Sequence, residues 1–151
     1  MMHVFPRTLT MLMQRGERAA IDSGAALSSA AYIRLRREAA GMSIKEVAGM
    51  LARNADEVAT ALNLIYALET PGNTARRPET LEALRSVFPF DPDVYRQLAT
   101  DPVDSHPRIC RGCGCSLWDP CTSDEHGACA WATDKACTAC LPDTAPVECC
   151  Q

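Results

Sequence analysis

Between Ser28 and Ala99 apolar residues recur at helical spacing, and each such stretch ends at a residue that stops a helix. Ser28 or Ser29 caps a first helix in which Tyr32, Leu35 and Ala39 share a face, and Gly41 supplies its C-terminal stop. Ser43-Ile44-Lys45-Glu46 has the order of a capping box, in which the Ser43 hydroxyl accepts the Glu46 amide and the Glu46 carboxylate returns to the Ser43 amide. Ile44, Val47, Ala48 and Leu51 follow it as one apolar stripe. A third helix starts near Asn54 or Asp56 and carries Val58, Leu62, Ile65 and Leu68 as far as Thr70-Pro71-Gly72. Pro78 opens a fourth with Leu81, Leu84, Val87 and Phe88, closed by Pro89; Asp91-Pro92 then caps a short fifth that holds Val94, Tyr95 and Leu98. No stretch alternates with the period of a strand. The pattern predicts a mainly α, five-helix domain over residues 28–100.

The pattern breaks on both sides of that domain. Residues 1–27 form an N-terminal extension, partly helical, whose apolar Val4, Phe5, Leu9, Met11, Leu12 and Met13 are interrupted by Arg7, Arg15, Glu17 and Arg18 before a secretory core develops. No apolar run reaches the roughly 18 residues of a membrane span. A cytoplasmic protein with reduced thiols and no membrane partner is therefore expected. Residues 101–107 carry two prolines without periodicity and read as a linker. Residues 108–141 hold few large apolar side chains, and residues 142–151 form a tail.

Charge sharpens the division. The chain has a formal net charge of −4; residues 28–100 balance nine basic against nine acidic side chains, whereas residues 101–151 have three against eight. All nine cysteines lie between Cys110 and Cys150. Cys110-x2-Cys113 and Cys137-x2-Cys140 are paired metal hooks, because a C-x2-C turn converges two thiolates on one ion at about 2.3 Å and a second hook completes the tetrahedron. Twenty-three residues separate the hooks, and Cys115, Cys121, Cys129 and His126 between them offer ligands for a second metal. Zinc, one ion or two, fits the hooks best. An iron–sulfur cluster also accepts four thiolates, and disulfides are the alternative in an oxidising compartment. Ile109, Trp118, Trp131 and Leu141 are the expected miniature core.

Ile33-Arg34-Leu35-Arg36-Arg37, Gly41-Met42-Ser43-Ile44-Lys45-Glu46-Val47-Ala48, Ile65-x2-Leu68-Glu69, Pro78-x2-Leu81-x2-Leu84 and Phe90-Asp91-Pro92-Asp93 together resemble the lambda-repressor-like helix-turn-helix family. The whole chain, with its cysteine hook and Cys129-x-Trp131, looks like small phage or prophage proteins. The resemblance implies that the helix starting at Ser43 crosses a DNA backbone and that the next one enters the major groove. Here seventeen residues separate Leu51 from Glu69, an insertion of about five relative to that family's compact turn and recognition helix.

Thr60 and Asn63 are the base-edge candidates on the third helix, which carries no arginine to take guanine in bidentate fashion. Lys45, Arg53, Arg76 and Arg77 are the phosphate candidates, with Arg34, Arg36 and Arg37 as further cations. Asp56 and Glu57 oppose phosphate at the start of the third helix. No H-x-E beside P-C-x2-C, no G-x-S-x-G, no phosphate loop and no HExxH occurs, so no enzyme is expected. The leading expectation is a phage-type transcriptional regulator that binds DNA through a helix-turn-helix and uses a structural zinc module for interaction or homodimerisation. The rivals are an adaptor or inhibitor that grips a host or phage protein, and a redox or iron–sulfur sensor.

Overall fold

The computed structural model describes residues 24–124 and 127–141. Its helices are α1 (Ser29–Ala39), α2 (Ile44–Leu51), α3 (Val58–Leu68), α4 (Pro78–Arg85) and α5 (Pro92–Thr100). Three of the expected starts are met by side-chain caps. The Ser28 hydroxyl accepts the Ala31 amide at 3.1 Å, the Ser43–Glu46 capping box closes in both directions, and the Asp91 carboxylate accepts the Asp93 amide at 2.8 Å. The end of α1 is a Schellman turn: Gly41 has φ +69, its amide reaches the Glu38 carbonyl, and the Met42 amide reaches the Arg37 carbonyl. Asn54 caps a 3-10 turn, Ala55–Glu57, that leads into α3.

Tyr32, Ile33, Val47, Ile65, Leu84, Phe88, Val94 and Tyr95 form the interior of the helical array, each nearly or fully removed from solvent. Both buried phenols have partners. Tyr32 Oη accepts the Asp91 amide at 2.9 Å and Tyr95 Oη accepts the Ala75 amide at 2.8 Å, so each ties a loop to the core. Burial pushes the Tyr32 phenol up to about 12.

One expectation about α1 does not hold. Its buried face is Tyr32, Ile33, Arg36 and Arg37, while Leu35 is half-buried and Ala39 exposed. The two arginines go inward because each finds full compensation. Arg37 Nε and Nη2 donate to the two Glu69 carboxylate oxygens at 2.6 and 2.8 Å, and Nη1 donates to the Met42 carbonyl at 2.7 Å. That fork joins the end of α1 to the end of α3. Arg36 Nε donates to the Pro89 carbonyl at 3.1 Å and Nη2 to Asp119 Oδ2 at 2.6 Å.

The Asp119 partner lies in the cysteine-rich part, so the two parts that residues 101–107 separate in sequence are packed on one another. Ile109 belongs to the helical core, not to the miniature core expected from the sequence. Trp118, also expected there, is 67% exposed. Trp131 and Leu141 do lie with the cysteines. The secondary structure of this part is two short antiparallel pairs, β1 (Thr122–Ser123) with β2 (Gly127–Ala128) and β3 (Trp131–Thr133) with β4 (Ala136–Cys137). Hairpins this short are not stable alone. Residues 1–23 of the expected partly helical extension (1–27), residues 125–126 and the tail from 142 lie outside the described residues.

Candidate metal centre

Cys110 and Cys113 stand on a tight reversal. The Cys110 amide donates to the Cys115 carbonyl at 2.9 Å, the Gly114 amide donates to the Cys110 carbonyl at 2.9 Å, and Ile109 bridges antiparallel to Ser116. Gly114 makes the turn in the left-handed region, φ +75. A Cβ there would also lie 2.8 Å from Arg36 Cδ and 3.3 Å from Leu35 Cβ, so glycine is favoured by both backbone and packing. The second hook leaves β4 at Cys137, whose carbonyl accepts the Cys140 amide at 3.1 Å and the Leu141 amide at 3.0 Å.

These two reversals bring the four expected ligands together. The sulfurs of Cys110, Cys113, Cys137 and Cys140 all lie within 4.8 Å of one another, and the set could hold a metal ion. Cys110, Cys113 and Cys137 are buried, Cys140 less so. Amide donors face the site: Gly112 at 3.4 Å and Cys137 at 3.3 Å both point at Cys110 Sγ, the arrangement that steadies a thiolate ligand. Arg108 packs on Trp131, its guanidinium 4.2 Å from the ring centroid, and donates to the Thr133 carbonyl at 3.0 Å.

A second set has the same property, but not with the residues expected. Cys113, Cys115, Cys121 and Cys137 also lie within 4.8 Å of one another. Cys115 and Cys121 are thus brought together, beside Cys113 and Cys137 of the two hooks. Cys129 Sγ lies 3.7 Å from Cys115 Sγ and its amide donates to the Cys121 carbonyl at 2.8 Å; His126 lies outside the described residues. Linear spacing could not show that Cys113 and Cys137 belong to both sets. The nearest signal was the extra cysteine in Cys113-Gly114-Cys115.

Packing this many thiols together makes their protonation interdependent. The Cys137 thiol is held far below its usual range by hydrogen bonds, first from Cys110 and then from Cys113, Cys115 and Cys121, whereas Cys113 is raised, chiefly through its bond with Cys110. The hydrogen bonds between them lower one thiol while raising its neighbour. A divalent cation removes that constraint and lets all of them bind as thiolates. Cys129, outside both sets, is pushed up to about 11 by burial.

The nucleic-acid candidates fall elsewhere. Thr60 and Asn63 are on the exposed face of α3, next to Tyr66, which is 56% exposed. Lys45 is exposed in the first turn of α2, and Arg76 and Arg77 are exposed in the segment before α4; among the described residues none of the three forms an ion pair. Arg53 follows α2 and is held by Glu57, Nη2 to Oε1 at 2.9 Å. With Arg36 and Arg37 turned inward, the outward cations of this domain are fewer than the sequence suggests. Compared with known proteins, the chain matches no family model, no curated protein and no solved structure.

Proposed function

We propose that this protein is a phage-type regulator of transcription that acts in the bacterial cytoplasm, with α2 and α3 as the helix-turn-helix pair and the cysteine-rich part as a structural zinc module. The observation that carries the reading is the α2–α3 pair itself. These helices pack on one another through Val47, Ala48, Ala61 and Ile65, and the outward face of α3 bears Thr60, Asn63 and Tyr66, which suits base-edge contact. Arg76, Arg77 and Lys45 supply the phosphate contacts. Zinc is favoured because both candidate sets are all-cysteine and closed, with paired hooks.

The second reading, an adaptor or inhibitor that binds a protein, is favoured by exposed apolar side chains in the same pair: Met50 is 62% and Leu64 39% exposed. A titration of the full chain on DNA upstream of its own gene, at low and moderate salt, decides between them. Under the regulator reading binding is salt-sensitive, and Arg76→Ala with Arg77→Ala flattens the slope of log affinity against log salt by up to about two. Absence of binding at micromolar protein and low salt, with a stoichiometric protein partner recovered, rejects it for the adaptor. A brown protein, in place of a colourless one, rejects zinc for the iron–sulfur sensor.

A further inference from the structure

We propose that the cysteine-rich part holds two divalent metal ions at once in a single thiolate-bridged cluster, in which Cys113 and Cys137 each ligate both ions. Cys110 and Cys140 complete the tetrahedron of one ion, and Cys115 and Cys121 that of the other. The inference rests on the metal reading above and specifies its stoichiometry and connectivity.

The two candidate sets overlap. Each contains four sulfurs within 4.8 Å, and they have Cys113 and Cys137 in common. Tetrahedra that share two ligands share an edge. For metal–sulfur bonds of about 2.3 Å, the sulfur–sulfur edge of a regular tetrahedron is about 3.8 Å. The Cys113 and Cys137 sulfurs are 3.8 Å apart. The pair common to both sets therefore already has the separation that a shared edge requires.

Counting ligands leads the same way. Two separate four-thiolate sites would need a sulfur beyond the seven described cysteines, from Cys149 or Cys150, whereas an edge-sharing pair needs only the six in the two sets. Charge also balances. Two divalent ions with six thiolates carry about the same net charge, roughly −2, as one ion with four. The second ion thus brings no additional negative charge into a buried site. Each thiol that binds releases its proton to solvent, so loading is proton-coupled. Burial of Cys110, Cys113, Cys115 and Cys137 keeps water from competing for the shared positions.

The test uses the full-length chain purified from zinc-supplied cells. Native mass spectrometry should report two zinc ions per chain, and zinc X-ray absorption should show an all-sulfur first shell with a second metal at about 3 Å, the separation that edge sharing imposes. Cys115→Ser and Cys121→Ser should each drop the count to one and abolish the metal–metal vector. Cys129→Ser should keep both ions and the vector. A single ion in the wild type, or two ions with no metal neighbour, overturns the bridged cluster and leaves the metal reading intact. Loss of an ion in Cys129→Ser without a vector in the wild type places the second ion with Cys115, Cys121, Cys129 and His126 instead. No bound metal at all overturns both proposals.

Discussion

The helical array and the cysteine-rich part are both packed, yet they fill their interiors with different matter. From Tyr32 to Leu98 the interior is Tyr32, Ile33, Val47, Ile65, Leu84, Phe88 and Tyr95, side chains whose removal from water is worth about 1.5–3 kcal/mol each. From Cys110 to Leu141 it is Cys110, Cys113, Cys115, Cys137 and two alanines, with Trp131 the one large apolar side chain buried among them. Leu117 and Trp118 remain outside, at 63% and 67% exposure. Small thiols do not offset the chain entropy of their segment by burial. The two regions therefore differ in what their folding can draw on: apolar area in the first and, under the proposed metal reading, metal–sulfur bonds in the second.

Metal removal should break this comparison most visibly. Stripping the ion with a strong chelator, or replacing Cys110 by Ser, should unfold residues 108–141, since metal–thiolate binding of this kind is worth about 10–16 kcal/mol of coupled folding at neutral pH. The helices should survive, because their core takes only Ile109 from that part. Limited proteolysis followed by far-UV dichroism reads both outcomes in one preparation. Cleavage-resistant residues 108–141 without metal would contradict the division.

How much of each region was legible in the sequence follows from the same difference. In the array, the Ser43–Glu46 box, the Asp91 cap and Gly41 are local signals, and the helices start and stop where those residues place them. The inward turn of Arg36 and Arg37 was not legible, because periodicity treats arginine as a surface residue and their partners, Asp119 and Glu69, are remote in sequence. In the cysteine-rich part the four hook ligands were legible from spacing alone. The grouping of Cys115 and Cys121 with Cys113 and Cys137 was not, since it depends on how the loops between them fold. Ile109 and Trp118 were misplaced for a related reason: hydrophobicity says that a side chain seeks cover, not which neighbour provides it.

A smaller effect should come from the ion pair inside the array. Arg37 and Glu69 are 8% and 7% exposed at their side chains, and their fork joins α1 to the end of α3. Glu69→Ala leaves the buried Arg37 guanidinium with the Met42 carbonyl and the half-exposed Glu38 carboxylate, 3.5 Å away. Breaking one partner of a buried pair costs about 3–5 kcal/mol. Chemical denaturation should show that loss in the helical transition, with metal content unchanged. If metal content falls as well, the two regions are not energetically separable.

The smallest effect falls on the contact between the regions, at Gly114. Its neighbours Cys113 and Cys115 are candidate ligands, and its own α-carbon faces the stem of Arg36, so one residue shapes the hook and its seat on α1. Gly114→Ala demands an alanine at φ +75, at about 1–2 kcal/mol for the left-handed conformation, and moves a flexible arginine stem by a few tenths of an ångström. The Arg36–Asp119 bond, 2.6 Å in length, should lengthen as the stem shifts. Metal binding can hold the hook in its conformation, because its bonds are worth several times the backbone strain. The expected result is therefore full metal occupancy with a lowered thermal midpoint, and a double-mutant cycle with Arg36→Ala should show coupling of about 0.5–3 kcal/mol, as residues in contact do. Strict additivity of the two substitutions would mean that the cysteine-rich part does not lean on α1 in solution, and that the array and the metal part are independent after all.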